Sequence, residues 1–99
     1  MVTIALLTLE IHIPHAQSLK DKRMVVRRLK DRLRSKFNVS VSETDHQDLW
    51  QRATIAVAAV GPDQHQLRRV MQAVATRVDA WGEVEVIDRD LRVWWPEDE

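Results

Sequence analysis

The chain contains no cysteine, only two glycines and three prolines, and no long uninterrupted hydrophobic run. Without cysteine there is no disulfide, no thiol nucleophile and no thiolate metal site, which fits a reducing compartment. The scarcity of glycine and proline excludes a collagen-like rod and a loop-rich scaffold. The opening segment MVTIALLTLEIHIPH lacks the basic start and small-residue cleavage site of a signal peptide. Thr8, Glu10 and His12 interrupt its apolar stretch, far short of the ~20 residues that a membrane-crossing helix needs. These absences lead to the expectation of a soluble, cytoplasmic protein with no membrane partner.

What is present is 99 residues, 44% hydrophobic and 30% charged, the balance of a globular protein. One domain is expected over residues 1–99, with the last few residues forming an acidic tail. A chain of this size buries somewhat more than ~60% of its unfolded surface, enough for one modest core. The formal net charge is zero, but the charges are segregated. Residues 18–36 carry nine bases against Asp21 and Asp31, whereas residues 79–99 carry eight acids against Arg89 and Arg92. A molecule with one basic and one acidic segment has a strong local field whatever its isoelectric point.

Hydrophobic periodicity supplies the elements. Ala5, Leu7, Leu9, Ile11 and Ile13 alternate with Thr8, Glu10 and His12 on the other side, the period of two of a half-buried strand over 2–13 that Pro14 ends. Ser18 reads as a helix N-cap, with Asp21 at the capping-box position. Leu19, Val26, Leu29, Leu33 and Phe37 follow at steps of seven, three, four and four, one face of a helix over about 19–36. Val39 and Val41 give a short second strand, residues 45–49 a turn, and residues 50–60 a third strand with Ala53, Ile55, Val57 and Ala59 inward. Gly61-Pro62 stops that strand and Asp63 caps a second helix, whose stripe is Leu67, Val70, Met71, Val74 and Val78. A last strand over 83–95 carries a bulge, because its apolar phase switches from Val84 and Val86 to Ile87, Leu91 and Val93. The order βαββαβ with right-handed crossovers predicts a ferredoxin-like α+β sandwich, a four-stranded antiparallel sheet with both helices on one face.

Three motifs then carry a resemblance. Ser18-Leu19-Lys20-Asp21-Lys22-Arg23 follows a strand ending in Ile-Pro; Lys36-Phe37-Asn38-Val39-Ser40-Val41 precedes Glu43; and Asp48-Leu49-Trp50-Gln51-Arg52-Ala53 comes next. In this order, over about residues 4–87, they resemble the YlxP-like family of small bacterial proteins. The resemblance implies a ferredoxin-like fold and no established activity. It also implies genes lying beside those for translation initiation and for a small-subunit ribosome-binding factor, hence a setting near the ribosome or RNA. It supplies no catalytic residues, and fold does not fix function.

Among candidate sites the basic helix is the sharpest. Lys20, Arg23, Arg27, Lys30 and Arg34 recur at steps of three, four, three and four and form one stripe on the rim of the apolar face. At ~1.5 Å per residue they could follow a phosphate backbone over ~20 Å. Arginine suits phosphate because its planar guanidinium bonds bidentately. The bland alternative is a solvated helix face, but mixed signs would serve solubility better than nine bases against two acids. An RRM-like mode is disfavoured, because the first and third strands have no aromatic beyond Trp50 at the third's start; a KH clamp needs Gly-x-x-Gly, which is absent. RNA would therefore be held through phosphates, by shape, which favours structured RNA or the small ribosomal subunit.

Other chemistry is weaker. His12, His15, His46 and His65 have no ligand spacing, so no metal or other cofactor is expected and scattered surface histidines are the simpler reading. Glu10 and His12 share a sheet face with Arg52 or Thr54 beside them, an acid–base trio or merely a polar patch; no enzymatic activity is expected. The loop Pro14-His15-Ala16-Gln17 lacks the glycines and arginine of an acylphosphatase-like phosphate cradle. Ile4, Leu6, Ala56 and Ala58 leave an apolar strip on the open sheet face, and Trp94 and Trp95 point to opposite faces, so a homodimer through the open sheet or an edge strand is expected. The leading expectation is a non-catalytic accessory protein that binds structured RNA or the ribosome through the stripe. The alternative is a dimeric protein–protein interaction module with no nucleic-acid partner, its basic helix meeting an acidic surface such as another copy's tail.

Overall fold

The computed structural model describes residues 1–96, so the acidic tail Glu97-Asp98-Glu99 lies outside the described residues. Six elements follow the expected order: β1 (Thr3–His12), α1 (Leu19–Lys36), β2 (Ser40–Asp45), β3 (Arg52–Gly61), α2 (Gln64–Asp79) and β4 (Glu85–Trp94). The four strands form one antiparallel sheet in the order β2-β3-β1-β4, the ferredoxin-like arrangement. No helix among the described residues is long and apolar enough to cross a membrane.

The alternation in β1 and β3 decides which sheet face is the core. Ala5, Leu7, Leu9 and Ile11 stand opposite Ala59, Val57, Ile55 and Ala53, and all eight are buried. Both helices cover this face. Glu43, opposite Ile55 in β2, meets Lys22 of α1, and Arg89, opposite Leu9 in β4, meets Asp79 at the end of α2. Each fully buried Leu, Ile or Val contributes about 1.5–3 kcal/mol of transfer free energy, so this single cluster holds the fold together.

The caps are those the sequence predicts. Ser18 Oγ accepts the Asp21 N–H at 3.0 Å, and Asp21 Oδ2 reaches back to the Gln17 N–H at 3.0 Å, one residue beyond the usual capping-box partner. Asp63 Oδ1 accepts the His65 N–H at 2.9 Å at the start of α2.

Four expectations are corrected. The strand β2 starts at Ser40 rather than at Val39 and runs into the first residue of the expected turn, because Thr44 forms a bulge that lets Asp45 pair with Thr54. The β4 bulge is real, but Ile87 is the extra residue itself and is 53% exposed rather than inward. The third strand starts at Arg52, later than expected, so Trp50 precedes β3 and is exposed. The buried face of α1 is Lys22, Val25, Val26, Leu29 and Leu33, while Leu19 and Phe37 are only half-buried. Lys22 has no exposed surface at all. It occupies the slot that the seven-residue step from Leu19 to Val26 skips.

Candidate nucleic-acid interface

The helix α1 presents its bases in three different environments. Lys20, Arg23, Arg27 and Arg34 are exposed and Lys30 is half-buried. Among the described residues none of these five forms an ion pair. The stripe lies on the β2 side of the helix, since Arg34 Nη2 donates to the Val41 carbonyl at 2.9 Å. Arg34 therefore has a structural partner as well as a place in the stripe. The opposite flank is tied down instead: Arg28 Nη2 meets Glu83 Oε1 at 2.6 Å, and the Arg32 guanidinium lies 4.9 Å from the centre of the Trp81 ring. Both partners lie in the α2–β4 connection. A groove between the C-terminal ends of the two helices is lined by Arg32, Lys36, Arg77 and Trp81, extending the positive surface around the end of α1.

The third environment is the interior. Lys22 Nζ donates to the His46 carbonyl at 2.6 Å and lies 2.6 Å from Glu43 Oε2. Removing an ammonium from water costs several kcal/mol, and only a close counter-ion and hydrogen bonds offset that cost. The same His46 carbonyl accepts the Leu49 N–H at 3.0 Å. His46 itself has φ 64°, the left-handed region that costs an L residue about 1–2 kcal/mol, and its N–H is held by Asp45 Oδ1 at 2.7 Å. The buried lysine thus fixes the loop that leaves β2.

That loop turns His46 towards the open sheet face. There Glu10 accepts the Thr54 hydroxyl at 2.9 Å, with His46 Nε2 3.7 Å and Arg52 Nη2 3.9 Å from its Oε1. One row further, His12 Nδ1 lies 2.8 Å from Glu85 Oε1. The expected neighbourhood of Glu10, His12, Arg52 and Thr54 is therefore present, and His46 joins it, so two of the four histidines are not scattered. His15 and His65 stay apart from it. The arrangement links the loop, β3, β1 and β4 through the contacts of two carboxylates with Thr54, Arg52 and two imidazoles. Among the described residues no group of three or more His, Asp or Glu side chains is placed to hold a metal ion.

Across the sheet, the open face changes character. Val60, Ile4 and Trp94 form one row and Ser40, Ala58, Leu6 and Arg92 the next, whereas Arg52, His12 and Glu85 form the last. The sheet order also puts the basic helix stripe beside β2 and the acids of β4 at the opposite edge. Segregation along the sequence thus becomes separation in space.

Residues 4–91 match the family described as "Protein of unknown function (DUF503)". The chain is 42% identical over 76 residues to the Uncharacterized protein YlxP of Bacillus subtilis (strain 168), covering 77% of this chain and 83% of that one. Its fold is similar to a C-terminal segment of the alpha subunit of aIF2 from Pyrococcus abyssi, with a TM-score of 0.50 and 22% identity. That likeness covers 91% of this chain but only about half, 49%, of the archaeal one, and at this identity it concerns the fold alone. With a family match across nearly all of its length and a relative of this similarity, the chain belongs to the DUF503 family, the YlxP-like proteins.

Proposed function

We propose that the protein is a non-catalytic accessory factor that binds structured RNA or the small ribosomal subunit through Lys20, Arg23, Arg27, Lys30 and Arg34. One observation carries this reading: five cations run along one side of α1 with no ion-pair partner among the described residues, although Arg28 on the other flank is paired with Glu83. A fold that pairs Arg28 and buries the charge of Lys22 has used opposite charge where stability required it. The stripe that it leaves exposed spans ~21 Å, long enough to follow several phosphates of an RNA helix. The translation setting implied by the family resemblance agrees with this partner. The polar cluster on the sheet face is read as structural, because the Glu10 carboxylate is already engaged by Thr54 and flanked by the Arg52 guanidinium and the His46 imidazole.

Fluorescence anisotropy against structured small-subunit RNA at several salt concentrations tests the reading. With four or five phosphate contacts, log affinity should fall against log salt with a slope of about −3 to −5. Absence of binding at low salt, or a slope unchanged by charge reversal along the stripe, would retire it.

A further inference from the structure

The two edges of the sheet are treated differently. On the β2 side the strand is six residues long, carries the Thr44 bulge, and has its Val41 carbonyl taken by Arg34. Such features blunt an edge against further pairing. The β4 edge is ten residues long and pairs only with β1 among the described residues. Its bulge lies at Ile87, which leaves Asp88–Trp94 as a regular seven-residue run in continuous register with β1. The Arg89 N–H is held by Asp88 Oδ1 at 2.9 Å rather than by β1. Peptide groups of alternate residues face the same side of a strand, so those of Leu91 and Val93 also face outward.

The charges along this run select a partner. Asp88, Arg89, Asp90 and Arg92 sum to zero, so the run meets a copy of itself without net repulsion. In an antiparallel pair related by a two-fold axis, the position of the axis fixes which residues face each other. An axis at Arg89 places Asp88 against Asp90, and one at Asp90 or Arg92 sets that residue against its own copy. Only an axis at Leu91 sets opposite charges face to face within the run from Arg89 to Arg92. It sets Asp90 against Arg92 twice, Leu91 against Leu91, and Arg89 against Val93. Leu91 and Val93, only half-buried on the helix side, would gain cover. The Asp90–Arg92 contact that already exists within the chain, 3.2 Å, would become a four-charge network.

We propose that the β4 edge binds the β4 edge of a second copy of this chain, antiparallel about a two-fold axis at Leu91, to give a continuous eight-stranded sheet. The main-chain bonds supply the attraction, and the facing charges set the register. This surface lies across the sheet from the basic stripe, so the dimer presents two stripes at its outer ends.

Sedimentation equilibrium at low salt on the full chain, wild type and variants, tests the proposal. Asp90 and Arg92 are both solvent-exposed, so reversing them should leave the fold intact, which circular dichroism verifies. Arg92→Asp and Asp90→Arg each place like charges opposite one another twice per dimer and should weaken association on the order of 10-fold. Combining Asp90→Arg with Arg92→Asp restores opposite charges only if the axis lies at Leu91, and should recover the wild-type dimer. A monomeric wild type at ~100 µM, a dimer indifferent to both single reversals, or failure of the double variant to recover would each overturn it.

Discussion

Lys20 and Lys22 sit two residues apart on the same helix and have opposite fates. Lys20 projects into solvent with no ion-pair partner among the described residues, whereas Lys22 is fully buried between α1 and the end of β2, clamped by Glu43 and the His46 carbonyl. Both recur in rows spaced by three and four residues. One row, 20-23-27-30-34, faces water. The other, 19-22-26-29-33, faces the sheet. A run of bases in a sequence therefore mixes charge that builds the fold with charge available for a partner, and only the rotation of the helix against its sheet separates them.

The comparison is broken most severely at Lys22. Lys22→Ala leaves Glu43 without its counter-ion at a site where the side chain is 15% exposed, and should cost about 3–5 kcal/mol by urea unfolding. The paired replacement Lys22→Met with Glu43→Leu should recover most of that loss, because the Leu49 N–H still satisfies the His46 carbonyl. If Lys22→Ala unfolds at the same urea concentration as wild type, the interior role is wrong.

The exposed row should show the reverse pattern. Reversing Arg23, Arg27 and Lys30 to Glu together should remove measurable RNA binding while shifting stability by no more than about 1 kcal/mol. Anisotropy and thermal melting on the same sample check both halves. Arg34 belongs to both categories, so Arg34→Ala should lose about 1 kcal/mol through its bond to Val41 and flatten the salt slope by at most about 1. The smallest effect belongs to the cap. Ser18→Ala should cost about 1 kcal/mol with no change in RNA affinity or salt slope.

Much of the architecture was legible in local pattern. Alternation in β1 and β3 identifies the eight inward apolar residues of those strands, and the caps at Ser18 and Asp63 follow from their hydroxyl and carboxylate chemistry. The apolar phase shift in β4 located its bulge to within a residue. The errors have one kind of cause. The base count over 18–36 does not set Lys22 apart from the surface bases, because its counter-ion stands 21 positions away in β2. His46 looked isolated because its neighbour Glu10 is brought to it by the β1–β3–β2 pairing. The skipped slot between Leu19 and Val26 was the available signal that Lys22 points inward.

The order of elements, the faces they bury and the existence of a five-cation row follow from the periods of strand and helix, which are local properties of the chain. Packing of the helices on the sheet sets which cations lack ion-pair partners, and which sheet edge lacks a neighbour, among the described residues, and which polar residues meet across strands. Those properties depend on contacts between residues far apart in the chain, which periodicity does not encode.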